Sequence, residues 1–211
     1  MRRATIVHVV GLAVAGLLAF AGVPSIAAQA AKASATQLQI TDGTTASYRV
    51  REQFVGVNFP NDAVGTSKAI TGTLVLARDG SIDGAQSKLT IDATSLQSDQ
   101  DRRDNYIRAR TLETGKFPTI SFVPRRIQGV PSPLPVDGQV GFQLTGDLTI
   151  HGVTKEVTWT GVATFTKDQV AGRATTDFTF ETFGLTKPKI PLLLSLDDKI
   201  ALEVEFRMHR S

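Results

Sequence analysis

The chain has 211 residues, 41% of them hydrophobic, with 18 Gly, 9 Pro and no Cys. Without Cys there is no disulfide, no cysteine-linked lipid and no thiolate metal site, so one apolar core must hold the fold. The formal net charge of +3 is too small and too scattered for a nucleic-acid-binding face.

The N-terminus has the layout of a secretory leader: Arg2-Arg3, an uncharged run from Val9 to Val23, and the small-x-small site Ala28-Gln29-Ala30. Cleavage is expected after Ala30, which places the protein in the periplasm or outside the cell. The competing reading is an uncleaved anchor, although the apolar run is short for a span. Removing Arg2 and Arg3 from the 23 Lys+Arg leaves 21 against 20 Asp+Glu. Residues 31–45, rich in Ala, Ser, Thr and Gln, read as a flexible lead-in to a domain over 46–211.

Period-two alternation then dominates. Ser47–Phe59 reads as a long first strand. Ile70, Gly72, Leu74 and Leu76 share a face of a second, and Asp79-Gly80 marks a turn. Ala85, Ser87, Leu89, Ile91 and Ala93 share a face of a third. Ser98–Arg110 lacks alternation; Ser98 with Asp101 resembles a capping pair, and a short helix near residues 99–110 is expected over one end of the sheet. Thr119–Ile127 is the next strand. Pro131, Pro133 and Pro135 mark a loop.

The clearest signal is Val140–Phe165. Val140, Phe142, Leu144, Leu148 and Ile150 are apolar at even positions. After His151-Gly152 the apolar set moves to odd positions, with Val153, Val157, Trp159, Ala163 and Phe165. A two-residue turn at His151-Gly152 pairs Ile150 with Val153, Leu144 with Trp159 and Phe142 with Gly161; a wider loop through Thr154 is the alternative. Val170–Glu181 and Lys199–Met208 complete the set. Between them Thr186–Leu194 (TKPKIPLLL) is irregular, because Pro188 and Pro191 exclude a central strand.

About eight strands with short connections and polar outer faces predict an all-β antiparallel fold in water rather than in a membrane, an up-and-down barrel or a sandwich, with the barrel favoured because closure removes the free edge of the strongly patterned last strand. Such an interior holds either packed side chains or one small ligand. Gly72, Ala85, Ser87, Gly146, Gly161, Ala163, Gly172 and Ala174 point inward and leave room, or merely relieve crowding; both readings stay open.

Arg103-Asp104, the run Lys116–Phe122 (KFPTISF), the run Gly146–Lys155 (GDLTIHGVTK) and Phe183-Gly184-Leu185 together resemble the YceI-like family, in order and spacing from about Ser47 to Met208. The resemblance implies an extended eight-stranded, lipocalin-like barrel that holds a long isoprenoid chain, such as a polyprenyl or quinone tail, and members are often exported. Many members open with an aromatic-x-Ile-Asp stretch followed by His-Ser; here Tyr48-Arg49-Val50-Arg51-Glu52 has no such His. The Pro-rich loop and TKPKIPLLL are candidates for the barrel mouth.

The expected ligand-lining residues are Phe122, Phe142, Leu144, Trp159, Phe165, Phe178, Phe180 and Leu202, with Tyr106 and Ile107 at the helical cap. No catalytic residue, metal or cofactor is expected. His151 and His209 make no zinc spacing, and neither a Gly-x-Ser-x-Gly elbow nor a phosphate-cradling Gly loop is present. Arg103-Asp104 reads either as a head-group contact or as helix-surface and cap contacts. The expected partner is an isoprenoid or other long apolar lipid, and no nucleic acid; Lys187, Lys189 and Leu192–Leu194 read either as local packing of an irregular loop or as a transient membrane contact during loading. The rival functions are a structural or stress-response barrel with a filled core, and an enzyme acting on a lipid substrate.

Overall fold

The computed structural model describes residues 35–211; the expected leader lies outside them. Eleven strand segments follow in chain order: β1 (Thr36–Ile40), β2 (Thr45–Phe54), β3 (Asn61–Ser67), β4 (Ile70–Leu76), β5 (Lys88–Asp92), β6 (Gln97–Ser98), β7 (Thr119–Gln128), β8 (Gly138–Ile150), β9 (Val153–Phe165), β10 (Gln169–Thr179) and β11 (Leu193–Arg210). Helix α1 (Asp101–Tyr106) follows β6 and runs into a π turn at Ile107–Thr111.

Every pairing is antiparallel, and the order β1-β4-β5-β7-β8-β9-β10-β11 returns to β1, which closes a barrel of eight strands. The other three segments extend three of these staves. Strand β2 continues β1 along β11, β3 precedes β4, and β6 follows β5. Short breaks separate the halves. Thr44 Oγ1 accepts from Arg207 N (3.0 Å) at the first. Ser67 Oγ accepts from Ala69 N (3.1 Å) at the second. Asp92 Oδ1 accepts from Thr94 N (2.8 Å) at the third. These polar side chains bond the backbone where the ladder stops.

Two expectations are corrected here. Residues 36–40 are not a flexible lead-in: β1 pairs with both β4 and β11 and closes the ring. Its sequence, TQLQI, hides this because only Leu38 of its inward side chains is fully buried. The first long strand ends at Phe54, not Phe59, and β3 follows it unforeseen. Strand β3 turns Ala63, Gly65 and Ser67 inward, residues too small to give an apolar alternation.

The β8–β9 hairpin has the two-residue turn. His151 has φ 53° and Gly152 φ 75°, the left-handed pair that a tight hairpin needs. Ile150 pairs with Val153, Leu144 with Trp159 and Phe142 with Gly161.

The two ends of the barrel differ. At one end Leu38, Leu74, Leu76, Phe142, Ala163, Phe165, Val170 and Met208 form a solid core. The Pro131–Pro135 loop covers this closed end, so it does not sit at the mouth. Arg210 Nη1 donates to Pro135 O (2.6 Å) and Ser132 Oγ to Arg78 O (2.7 Å). At the other end β6 pairs only with β3, and α1 with its π turn packs beside it.

Candidate functional site: an apolar cavity under the helix

The open end encloses a cavity of about 890 Å³, within the range of natural ligand sites. Strand β2 supplies Ala46, Tyr48, Val50 and Glu52 at inward positions. The helical segment supplies Arg103, Tyr106, Ile107 and Leu112. On β11, Ile200 and Leu202 stand directly beside Val50 and Tyr48, Trp159, Phe178 and Phe180 continue the wall, and the Pro188–Leu196 segment borders the mouth.

Six of the ten expected lining residues lie on this wall: Tyr106, Ile107, Trp159, Phe178, Phe180 and Leu202. The other four do not. Phe122 packs edge-on against Trp159 with ring centroids 6.1 Å apart, one layer behind the wall. Leu144 pairs with Trp159 across the hairpin but stays in the core below it. Phe142 packs against Phe206 (6.1 Å), and Phe165 is buried in the closed end.

The small inward residues do not make the room, which corrects the first of the two readings. None of Gly72, Ala85, Ser87, Gly146, Gly161, Ala163, Gly172 and Ala174 borders the cavity. Ala85 is exposed rather than inward, and at Gly146, Gly161 and Gly172 the space is taken by rings from neighbouring strands. A Cβ on Gly161 would lie 2.7 Å from Phe142 Cζ, one on Gly172 2.7 Å from Phe206 Cζ, and one on Gly146 2.8 Å from Phe122 Cζ. Aromatic rings lying across glycines in this way stiffen a curved sheet. The cavity arises instead because helix and strands enclose the open end without filling it.

A charged clasp holds the helix. Arg103 Nη2 donates to Glu52 Oε1 (2.8 Å) and Nη1 to Asp99 Oδ1 (2.5 Å). The Glu52 side chain is 7% exposed and that of Arg103 18%, so this pair is largely removed from water. The carboxylate of Asp104 accepts Ser98 N (3.0 Å) and Ser98 Oγ (2.6 Å). Asp104 thus ties the start of α1 to β6. The expected Ser98–Asp101 capping pair is absent: the N-cap is Gln100, with no side-chain cap bond. Arg103 is at once a wall residue and a packing contact, and its charge is already matched by two carboxylates.

Burial pushes the Tyr48 hydroxyl well above the ordinary phenol range. Tyr48 Oη, Thr111 Oγ1 and Trp159 Nε1 are buried with no protein hydrogen-bond partner. All three residues border the cavity. Tyr48 and Glu52 were missed in the sequence, yet the signal is present there. Ala46, Tyr48, Val50 and Glu52 alternate, and an acid on an inward face calls for a distant basic partner.

A family described as "YceI-like domain" matches residues 31–208. A UPF0312 protein of Pseudomonas putida strain W619 is 35% identical over 113 residues, 48% of this chain and 54% of the relative. A UPF0312 protein of Vibrio vulnificus strain YJ016 is 28% identical over 119 residues, 56% and 57% of the two chains. The chain therefore spans about half the length of the curated relatives it matches, and their names carry no enzymatic activity. Among solved structures, a polyisoprenoid binding domain from Saccharophagus degradans superposes with a TM-score of 0.62 at 11% identity, over 83% of this chain and 98% of that one. Burkholderia cenocepacia BcnA superposes with a TM-score of 0.57 at 16% identity, over 78% and 95%. These likenesses carry the fold. With a family match running from before β1 nearly to the end of β11, on a closed eight-stranded antiparallel barrel, the chain belongs to the YceI-like family.

Proposed function

We propose that this protein is an exported carrier that holds an isoprenoid-type chain, a polyprenyl or quinone tail, in its half-barrel cavity for sequestration or transport. The observation that carries the reading is the cavity itself: about 890 Å³, walled mainly by Trp159, Phe178, Phe180, Leu202 and their aliphatic neighbours. Each methylene buried there contributes roughly 0.8 kcal/mol, so a long tail is held without a strong polar contact once the cost of ordering it is met. The name of the Saccharophagus degradans domain, polyisoprenoid binding, supports the same ligand class. The leader at residues 1–30 supports export, with cleavage after Ala30.

Trp159 is the single tryptophan and stands on the wall, so it reports on occupancy. Protein purified without detergent and extracted into organic solvent should yield a prenyl lipid by mass spectrometry. Added prenyl alcohol should shift or quench Trp159 emission in delipidated protein. Preparations that never contain lipid, with emission indifferent to prenyl compounds, would sink the carrier reading. A secreted or periplasmic product beginning at Ala31, read by intact-mass analysis of cell fractions, tests export; cytosolic protein retaining Met1–Ala30 overturns it.

A further inference from the structure

The end that holds the cavity also carries an apolar rim. Val55, Val57 and Phe59 follow β2; Ile190, Leu192 and Leu194 enter β11. Phe59 is 79% exposed, Leu192 68% and Leu194 60%. The two segments are tied together: Val55 N donates to Leu192 O (2.8 Å), and Phe54 pairs with Leu193. Val57, Ile190 and Leu192 belong both to this exposed set and to the cavity wall. Apolar surface is therefore continuous from outside the protein into its interior.

Leu192 adds an independent observation. Its φ is 70°, a left-handed conformation that suits Gly or Asn and disfavours a branched side chain. Its side chain recovers little by packing, since most of it faces water. The rim carries charges of both signs: Lys187 lies 4.0 Å from Asp198, Lys189 is exposed, Asp197 follows Leu194 on β11, and Asp62 on the adjoining β3 pairs with Arg49 and Arg51. No single-sign field selects an acidic or basic partner, so what the rim offers is apolar insertion.

We propose that this rim seats on the surface of a lipid bilayer. Phe59, Leu192 and Leu194 enter the boundary between head groups and acyl chains, to the depth that interfacial apolar side chains reach, and the cavity opens toward the membrane. A tail can then pass between bilayer and barrel while staying among apolar atoms. The inference rests on the proposed reading of the cavity as a lipid site. A protein seated on the same rim would stopper the entrance instead of feeding it.

The test is flotation of the purified protein with vesicles of phosphatidylcholine, alone and with a minor share of phosphatidylglycerol, at low and high salt. The wild type should float with both, with little salt dependence. Phe59→Ser and Leu192→Asn should each weaken partition by about tenfold, the loss expected for one large apolar side chain left in water. Leu192→Asn should melt at or above the wild-type temperature, because Asn fits the left-handed backbone; lost docking with retained stability excludes misfolding. Variants that float like the wild type overturn the proposal, as does binding abolished by salt. So does a wild-type dimer in sedimentation that the same substitutions dissociate, which would make a second copy the occupant. Extraction of the same preparations separates the two readings. Lipid-loaded protein that ignores vesicles defeats docking alone, whereas empty protein that floats and loses flotation in the variants defeats the carrier and supports docking.

Discussion

Tyr48 shows how a single side chain can work against stability in this wall. Its hydroxyl is buried without a partner, and its ring lies across Gly65, where a Cβ would sit 2.3 Å from Tyr48 Cε1. A buried polar group left unpaired costs about 1–3 kcal/mol. Tyr48→Phe should therefore leave stability unchanged or raise it by about 1 kcal/mol in urea titration, and a clear loss would reveal a partner for the hydroxyl. Gly172 is the opposite case. A Cβ there would approach Val162 O to 2.1 Å, so Gly172→Ala should destabilise by about 1–3 kcal/mol, as overpacking does. At the hairpin turn, His151 Nε2 and Glu113 Oε2 are 2.7 Å apart, and Lys116 also bonds Glu113. The His151 bond first, then Lys116, holds the Glu113 carboxyl below the ordinary glutamate range. A folded pKa below the unfolded one means stabilisation that is full above the unfolded value and lost as pH falls through the folded value. Glu113→Gln should thus flatten the acid limb of a melting-temperature-versus-pH curve below the ordinary glutamate range. An unaltered acid limb would show that the contact contributes nothing.

At the scale of elements, α1 is too short to be stable alone, so its position depends on the clasp. Breaking a buried pair on one side leaves the partner charge uncompensated. Arg103→Ala should cost about 3 kcal/mol in denaturant unfolding, and the double variant Arg103→Met with Glu52→Leu should recover much of it. If the double variant is worse than Arg103→Ala, the pair contributes more than its desolvation cost. Legibility also divides by element. Strands β4, β5 and β7 to β11 were readable because each alternates large apolar with polar residues against one buried face. Strands β1 and β3 were not, because Thr36–Ile40 and Asn61–Ser67 bring only one large apolar side chain fully or small ones inward. The helix was readable from the failure of alternation, but its anchoring was not. Ser98 found Asp104 six residues on, and Arg103 found Glu52 fifty-one residues back.

The barrel as a whole is solid at one end and hollow at the other, and the two ends should respond differently to truncation. Phe165→Ala in the closed end should cost about 3–5 kcal/mol, the price of a large cavity in a packed core. Leu202→Ala on the cavity wall removes atoms that already face open space, so about 1–2 kcal/mol is expected, with a larger effect on retained lipid than on stability. Equal costs in equilibrium unfolding would show that the open end is packed in solution.

The sequence by itself determined the alternation, the tight turn at His151-Gly152, the antiparallel sheet favoured as a barrel and the polar exterior, because period two and turn chemistry are local properties; that β1 closes the ring came only with the tertiary structure. Only the tertiary structure decided which inward residues meet empty space. Phe142 and Trp159 stand on adjacent strands with the same alternation, yet one packs across Gly161 in a filled end and the other faces a cavity. That difference comes from which staves are bridged by direct pairing and which by a helix, and from side chains brought together across dozens of residues, neither of which a local pattern encodes.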